Sequence, residues 1–152
     1  MKRIMLVFYL PFLLCALNDL HAQCINGTLS YPLYKDGAAF VKQIDDQGDE
    51  IVRIEYDLLF SSKETFRTLT SDWIYVIYAF ADEGLKELNL KVYEYDDLLE
   101  EWNLVGEDTL TGRYATLNIT PSVTAQYKIE IIAGEFNEGY TATRYGLLIY
   151  HD

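Results

Sequence analysis

The sequence predicts an all-β protein, an antiparallel β-sandwich of jelly-roll type with about eight strands and a short N-terminal helix. Two observations carry this prediction. From residue 51 onward, apolar and polar residues alternate in short runs, as they do in half-buried strands. These runs recur at intervals of roughly ten residues with turn residues between them, which is the spacing of sandwiches and barrels.

The first 22 residues have the pattern of a secretory signal peptide. Lys2 and Arg3 precede an almost continuous apolar run, 4–17, and Ala22 supplies a small residue before the expected cleavage site. The run is too short to cross a bilayer comfortably, so we expect no transmembrane segment in the mature chain. The sequence therefore predicts a secreted or periplasmic protein, and the signal is bacterial in appearance.

Cleavage after Ala22 leaves Cys24 as the only thiol of the mature chain, so no internal disulfide can form. A lipoprotein signal wants a small residue immediately before the acylated cysteine, and this chain has Gln23. We therefore expect an unmodified, partly buried Cys24.

The segment 23–50 precedes the predicted sandwich domain, 51–152. Within it, Ala38, Val41 and Asp45 share a helical row, with Phe40 and Ile44 beside them. Asp36 is a suitable N-cap, so the sequence predicts a short helix over 36–45 followed by an acidic linker over 45–50.

Within 51–152, the run 51–58 predicts a strand with one buried and one solvated face. The residues expected on the buried face are Val52, Ile54, Tyr56 and Leu58. The run 73–81 is apolar on both faces and rich in β-branched and aromatic residues, which predicts a central strand covered on each side. Further strands are predicted over 65–69, 88–95, 102–105, 114–119, 126–133 and 140–150.

The charge and motif content exclude several functions. The formal net charge is −12, and removing Lys2, Arg3 and Asp19 with the signal makes it −13, which argues against nucleic acid or an anionic membrane as a partner. His151 is the only histidine outside the signal, and we expect it in a frayed C-terminus. No nucleophile elbow, metalloprotease helix or phosphate loop is present, so the sequence predicts a protein that is not an enzyme. A small hydrolase using two carboxylates stays open as an alternative.

Two sets of residues are candidate sites. Tyr93, Tyr95 and Trp102 are aromatic side chains that could stack on sugar rings or contact a peptide. The carboxylates that could bind calcium from loops are Asp82, Glu83, Asp97 and Asp108. The sequence thus favours a module that binds an extracellular or cell-envelope polysaccharide or protein, with a calcium-stabilised structural domain as the alternative. No other cofactor is expected.

From Arg67 onward the chain resembles the bacterial pre-peptidase C-terminal domain, a small exported β-sandwich. The segments that carry the resemblance are 67–69 with 73–77, 81–82, 88–93, 103–108, 120–122 with 126–129, and 145–149. The resemblance implies a role in secretion or in binding surface polymers, and for some members calcium in acidic loops. Asp82 and Asp108 match those acidic positions, whereas Asn89 stands where the family tends to have an aspartate.

Overall fold

The computed structural model describes residues 27–152, which form one helix followed by eight strands. The predicted export signal and Cys24 lie outside the described residues. The helix and strands are α1 (Gly27–Gln47), β1 (Glu50–Leu59), β2 (Ser62–Leu69), β3 (Tyr75–Ala81), β4 (Leu85–Asp96), β5 (Glu101–Asp108), β6 (Tyr114–Ile119), β7 (Ala125–Phe136) and β8 (Thr143–His151). No helix within 27–152 is long and apolar enough to cross a membrane.

The strands form two antiparallel sheets of four. Sheet A has the order β1-β8-β3-β6 and sheet B the order β2-β7-β4-β5. The pairs β1–β8, β2–β7, β3–β6 and β4–β5 are those of one long hairpin. Because successive pairs alternate between the sheets, the hairpin is wrapped into a jelly roll. The predicted fold class is therefore confirmed.

The main core lies between the two sheets. Sheet A contributes Ile77, Leu147 and Ile149, and sheet B contributes Leu90 and Ile129, all of them fully buried. Alternate residues of each strand point inward, which is why the apolar residues recur with a period of two.

The helix α1 covers the outer face of sheet A. Leu33 and Ile44 pack against Phe80 and Leu148 in a second apolar cluster, separate from the main core. Strand β3 is thus buried on both faces, with Ile77 in the main core and Phe80 under the helix. This confirms the prediction drawn from its doubly apolar sequence.

The helix is longer than the sequence predicts, beginning at Gly27 rather than Asp36. The buried apolar side chains of the helix are Leu33 and Ile44, whereas Ala38 and Asp45 of the predicted row are exposed. Pro32 lies inside the helix and normally interrupts one, because it has no N–H to donate. Burial of Leu33 on sheet A offsets that loss and extends the helix toward its N-terminus.

The predicted acidic linker is also mostly helical. Asp45 and Asp46 belong to α1, and only Gly48 and Asp49 separate it from β1. Gly48 has φ 87°, the left-handed conformation that glycine adopts without steric cost. The N–H of Asp49 donates to the carbonyl of Ile44 and that of Gly48 to the carbonyl of Asp45, at 3.2 and 3.1 Å. These two bonds form a Schellman motif, which ends the helix.

Strand β1 differs from its predicted pattern because it is an edge strand with a register shift between Ile51 and Arg53. Ile54, predicted to be buried, is 47% exposed. Glu55, predicted to be solvated, lies opposite Leu147 and accepts a hydrogen bond from the buried Tyr145 hydroxyl at 2.6 Å. At this open edge of the sandwich, polar side chains reach the interior without losing contact with water.

The C-terminal His151 is ordered rather than frayed. It ends β8, lies opposite both Glu50 and Tyr75, and is 8% exposed. Its ring stacks on Trp73 with 4.3 Å between the centroids. Pairing on both sides holds this residue, and the sequence alone does not reveal which strands supply those pairs.

Candidate functional site: an aromatic face on sheet B

The outer face of sheet B is open to solvent, whereas α1 covers the corresponding face of sheet A. The inward-facing residues of β4 and β7, such as Val92 and Ile129, are fully buried. On the opposite side of the same sheet, Phe66 is 46% and Leu104 50% exposed. Large apolar side chains on a solvent-facing sheet surface are typical of interaction sites.

The register places these residues in one row across all four strands. Phe66 of β2 lies opposite Lys128 of β7, Lys128 lies opposite Tyr93 of β4, and Tyr93 lies opposite Leu104 of β5. Paired residues of antiparallel strands point to the same side of the sheet. The row therefore runs over the full width of sheet B.

A second row brings the other predicted aromatics to the same surface. Tyr95 lies opposite Trp102, and their ring centroids are 5.0 Å apart. Trp102 also contacts Phe66, with 5.6 Å between the centroids, so the side chains lean across the sheet toward each other. All three aromatic residues predicted from the sequence thus belong to one surface. We call it the aromatic face, and it consists of Phe66, Tyr93, Tyr95, Trp102, Leu104 and Lys128.

Lys128 lies at the centre of the aromatic face. Its Nζ is 4.3 Å from the centroid of the Tyr93 ring and 5.7 Å from that of Trp102, within the range of cation–π attraction. The same Nζ is 3.3 Å from a carboxylate oxygen of Glu64. The Lys128 side chain is only 17% exposed, so its ammonium group has a fixed position between these partners.

Charged and hydrogen-bonding groups border the aromatic face on one side. The Tyr93 hydroxyl donates to Glu130 at 3.1 Å, and Lys91 lies 3.8 Å from Glu107. Burial, and then the bond to Glu130, raise the pKa of the Tyr93 phenol, which therefore stays neutral and able to donate. Large apolar and aromatic side chains bordered by polar groups are the usual composition of a recognition surface.

The carboxylates predicted to bind calcium are not brought together. Asp82 and Glu83 lie in the turn between β3 and β4, whereas Asp97 lies in the turn between β4 and β5, at the other end of β4. Asp108 ends β5. Its carboxylate accepts hydrogen bonds from the N–H of Leu110 at 3.0 Å and from the N–H of Thr116 in β6 at 2.9 Å. Within residues 27–152, no group of three or more histidine, cysteine or acidic residues is arranged to hold a metal ion.

Asp82 instead organises the turn in which it lies. Its carboxylate accepts hydrogen bonds from the Thr143 hydroxyl at 2.6 Å and from the N–H of Gly84 at 2.9 Å. Arg144 adds its backbone N–H and its guanidinium, each at 3.3 Å. These partners tie the start of β8 to the end of β3, and they already use the oxygens that a cation would need.

A cavity of about 250 Å³ adjoins Asp82 between α1 and the β3–β4 turn. Its lining includes Asp82 and Glu83 together with Arg113 and Arg144. A carboxylate-dependent hydrolase needs one carboxyl group that stays protonated beside another that is ionised. Both oxygens of Asp82 are already hydrogen-bonded to Gly84, Thr143 and Arg144, which gives this carboxylate a structural role beside the cavity.

Comparison with known proteins finds similar folds. No protein-family model matches the chain, and no curated protein matches its sequence. One similar solved structure is the pre-peptidase C-terminal domain of a collagenase from Bacillus anthracis, with 12% identity and a TM-score of 0.47 over 64% of this chain and 87% of that one. It belongs to the family that the sequence resembles.

Two further similar structures are exported or binding proteins by their descriptions. The g-type lysozyme inhibitor PliG, a periplasmic protein of Aeromonas hydrophila, has 10% identity and a TM-score of 0.42 over 70% of this chain and 90% of its own. The low-affinity xylan-binding module CBM86 from Roseburia intestinalis has 11% identity and a TM-score of 0.40 over 70% and 89%. With identities of 12% or less and TM-scores below 0.5, these similarities carry no argument about function. The function has to be argued from the structure of this chain, a jelly-roll β-sandwich with one exposed aromatic face.

Sequence reasoning missed three members of the aromatic face: Phe66, Leu104 and Lys128. Phe66 alternates with the buried Thr65 in its strand, a signal that it points outward. Its neighbours on the face come from strands that follow it by about 25 to 60 positions along the chain. Only the pairing order of sheet B brings them together.

Proposed function

We propose that this protein is an exported, non-catalytic β-sandwich module that binds a polysaccharide through its aromatic face. The observation that carries the proposal is the convergence of Tyr93, Tyr95 and Trp102 with the half-exposed Phe66 on one solvent-facing surface. The pattern of residues 1–22 supports export.

The chemistry of the aromatic face suits sugar rings. Aromatic faces are apolar, and the C–H-rich faces of a pyranose pack on them as other apolar surfaces do. The bordering carboxylates, Glu64 and Glu130, are acceptors for sugar hydroxyl groups, and Lys128 is a donor. Four strands about 4.8 Å apart give the face a width of roughly 14 Å. An extended chain of several sugars fits such a surface better than a single monosaccharide.

A non-catalytic role fits the position of the one histidine outside the signal. His151 is stacked on Trp73, and its Nδ1 is 3.0 Å from the carbonyl of Asp152. Asp82, whose carboxylate accepts four hydrogen bonds, serves as a structural acceptor.

Affinity electrophoresis of the mature protein in gels containing soluble polysaccharides tests the proposal. The panel should include xylan, a mixed-linkage glucan and an acidic polymer. We expect a neutral polymer to retard the wild type, and Trp102→Ala to weaken binding by about tenfold or more, as truncation of a central aromatic does at other interfaces. Trp73→Ala is the matched control, since Trp73 is 43% exposed but stacks on His151 away from the aromatic face.

If the two variants lose retardation equally, the aromatic face is not the binding surface. If no polymer retards the wild type, the polysaccharide proposal fails and a protein partner becomes the better explanation of the face. Export is tested separately, by expressing the full chain in a bacterium and determining the N-terminus of the recovered protein. We expect Gln23 as the first residue.

A further inference from the structure

Three rings of the aromatic face are tilted against one another. Trp102 lies between Phe66 and Tyr95, at 5.6 and 5.0 Å between ring centroids. Its ring plane is inclined by 53° to that of Phe66 and by 52° to that of Tyr95. Each of the three side chains keeps an exposed portion. No single plane therefore contains the Trp102 ring together with the ring of either neighbour.

The sheet under these rings is twisted as well. Phe66 belongs to β2 and Trp102 to β5, the two edge strands of sheet B, with β7 and β4 between them. Adjacent strands of a sheet are rotated by roughly 20–25°, so the two edges differ in direction by roughly 60–75°. Side chains stand nearly perpendicular to a sheet, so those of the two edges point in different directions. The aromatic face is therefore a twisted surface, which a change of one rotamer would not flatten.

A row of charged side chains runs beside the rings and crosses all four strands. Glu64 of β2 lies opposite Glu130 of β7, which lies opposite Lys91 of β4. Lys91 in turn lies opposite Glu107 of β5. On β2, β4 and β7 this row is two residues, or about 7 Å, away from the row that includes Phe66. A long ligand that crosses the strands along the rings thus has hydrogen-bonding groups along one of its edges.

This geometry distinguishes between two physical forms of a polysaccharide. Stacking needs a sugar face that is parallel to an aromatic ring and in contact with it, and a gap of about 1 Å forfeits up to about half of the dispersion attraction. At the surface of a crystalline polysaccharide the sugar faces lie in one plane, so only one of the tilted rings can stack at a time. In a single chain, rotation about the glycosidic bonds turns successive sugars toward successive rings. Its hydroxyl groups are also free to bond to the charged row.

We propose that the aromatic face binds a single polysaccharide chain, soluble or in an amorphous region, that crosses sheet B from β2 to β5. The flat surface of a crystalline polysaccharide is not a ligand of this site. This inference rests on the proposed function and adds the form of the substrate. A chain in this orientation contacts both Phe66 and Trp102, so the two rings share the binding energy. Affinity should also increase with chain length until the oligomer spans the face.

Sedimentation assays with matched pairs of insoluble polysaccharides test the physical form of the ligand. The pairs are amorphous swollen cellulose with microcrystalline cellulose, and amorphous colloidal chitin with crystalline chitin. Soluble xylan and mixed-linkage glucan are measured by affinity electrophoresis. In each assay the quantity compared is the binding that Trp102→Ala removes, so adsorption elsewhere on the protein does not count. We expect such binding to soluble or amorphous polymers and its absence on both crystalline forms.

Titration calorimetry tests whether both edges of the sheet take part. The ligands are xylo-, cello- and chito-oligosaccharides of increasing length. We expect Phe66→Ala and Trp102→Ala each to weaken binding of the longest oligomers by about fivefold or more, as truncation of aromatic anchors does at other interfaces. Phe60→Ala is the matched control, since Phe60 is 59% exposed but lies between β1 and β2, outside the aromatic face. It should change the affinity by less than about twofold.

The outcomes separate this inference from the proposed function. Soluble or amorphous binding that both variants weaken, with none on the crystalline forms, supports it. Trp102-dependent binding to a crystalline form overturns it and leaves the proposed function standing. An affinity for soluble chains that depends on Trp102 but is unchanged in Phe66→Ala also overturns it, because the ligand then does not cross the sheet. If no polymer binds in any form, both proposals are overturned.

Discussion

Phe80 gives the sharpest test of how the helix and the sandwich are joined. Its side chain is 1% exposed and lies between α1 and sheet A. The ring contacts Phe40 at 5.6 Å, Tyr78 at 5.7 Å and Tyr56 at 6.1 Å between centroids. Without the helix, Phe80 would lie on the outer surface of sheet A. Substitution to alanine therefore measures helix packing rather than the inter-sheet core.

The expected loss follows from the buried area. A fully buried phenylalanine removes about 170 Å² from water, near the lower end for aromatic side chains. At about 25 cal/mol per Å², this corresponds to a transfer free energy of about 4 kcal/mol. Measured Phe→Ala substitutions in cores cost about 3–5 kcal/mol, which includes the cavity left behind. We therefore expect Phe80→Ala to lower the free energy of unfolding by about 4 kcal/mol.

Urea unfolding followed by circular dichroism is the appropriate assay. Phe60→Ala is the control, because Phe60 is 59% exposed and its removal should change stability by less than about 0.5 kcal/mol. Ile44→Ala approaches the same cluster from the helix, where Ile44 is 5% exposed, and should cost about 2–4 kcal/mol.

A loss below about 1 kcal/mol for Phe80→Ala would contradict the reasoning, since such a value is typical of an exposed side chain. If Phe80→Ala does not fold, the milder variant Ile44→Ala still tests whether α1 packs on sheet A. An Ile44→Ala protein as stable as the wild type would show that it does not.

Three further predictions follow from buried contacts. Burial, then hydrogen bonding to a glutamate, raise the pKa of both Tyr127 and Tyr145 above the usual value. The unfolded chain ionises first, so the free energy of unfolding should fall above about pH 10 by about 1.4 kcal/mol per pH unit for each tyrosine in urea titrations. Asp82→Ala should lower the free energy of unfolding by about 1–3 kcal/mol, because the groups that donate to Asp82 lose their acceptor. If Asp82 has only this structural role, the wild type should melt at the same temperature in calcium and in EDTA. Gly37→Ala should cost about 1–3 kcal/mol in the same urea assay, because a Cβ there would overlap the Tyr56 hydroxyl.

Each of these predictions has its own control. Tyr145→Phe should remove one tyrosine's share of the alkaline slope, and an unchanged slope would show that Tyr145 is not the group responsible. A melting temperature several degrees higher in calcium would overturn the structural role given to Asp82 and restore the calcium-stabilised alternative. Tyr56→Phe removes the overlapping hydroxyl, so it should recover part of the Gly37→Ala loss. No recovery would place the strain elsewhere.

The sequence predicts the elements best where one local rule decides them. Alternation in β4 and β7 predicts strands because every second residue must enter the core. The doubly apolar β3 predicts burial on both sides, and Phe80 and Ile77 show how that is achieved. The predicted start of the helix is wrong at α1. Pro32 is unfavourable inside a helix, but burial of Leu33 on sheet A stabilises the helix despite it.

The candidate site divides in the same way. Tyr93, Tyr95 and Trp102 stand out in the sequence because large aromatic side chains end a strand and begin the next, and a short turn keeps them adjacent. The carboxylates Asp82 and Asp97 look similar in sequence, yet they lie at opposite ends of β4 because a strand separates them. Nothing in the local pattern tells that Asp82 is already bonded to Thr143, which follows it by 61 positions.

Local sequence patterns are therefore enough to predict the fold class, the inward face of the central strands and the three aromatics of one hairpin, because side-chain alternation and turn residues act over a few positions. Tertiary packing is needed to place Phe66 and Lys128 on the aromatic face and α1 on the other sheet. Those outcomes depend on which distant strands pair, and pairing is set by the burial of the whole core rather than by any short segment.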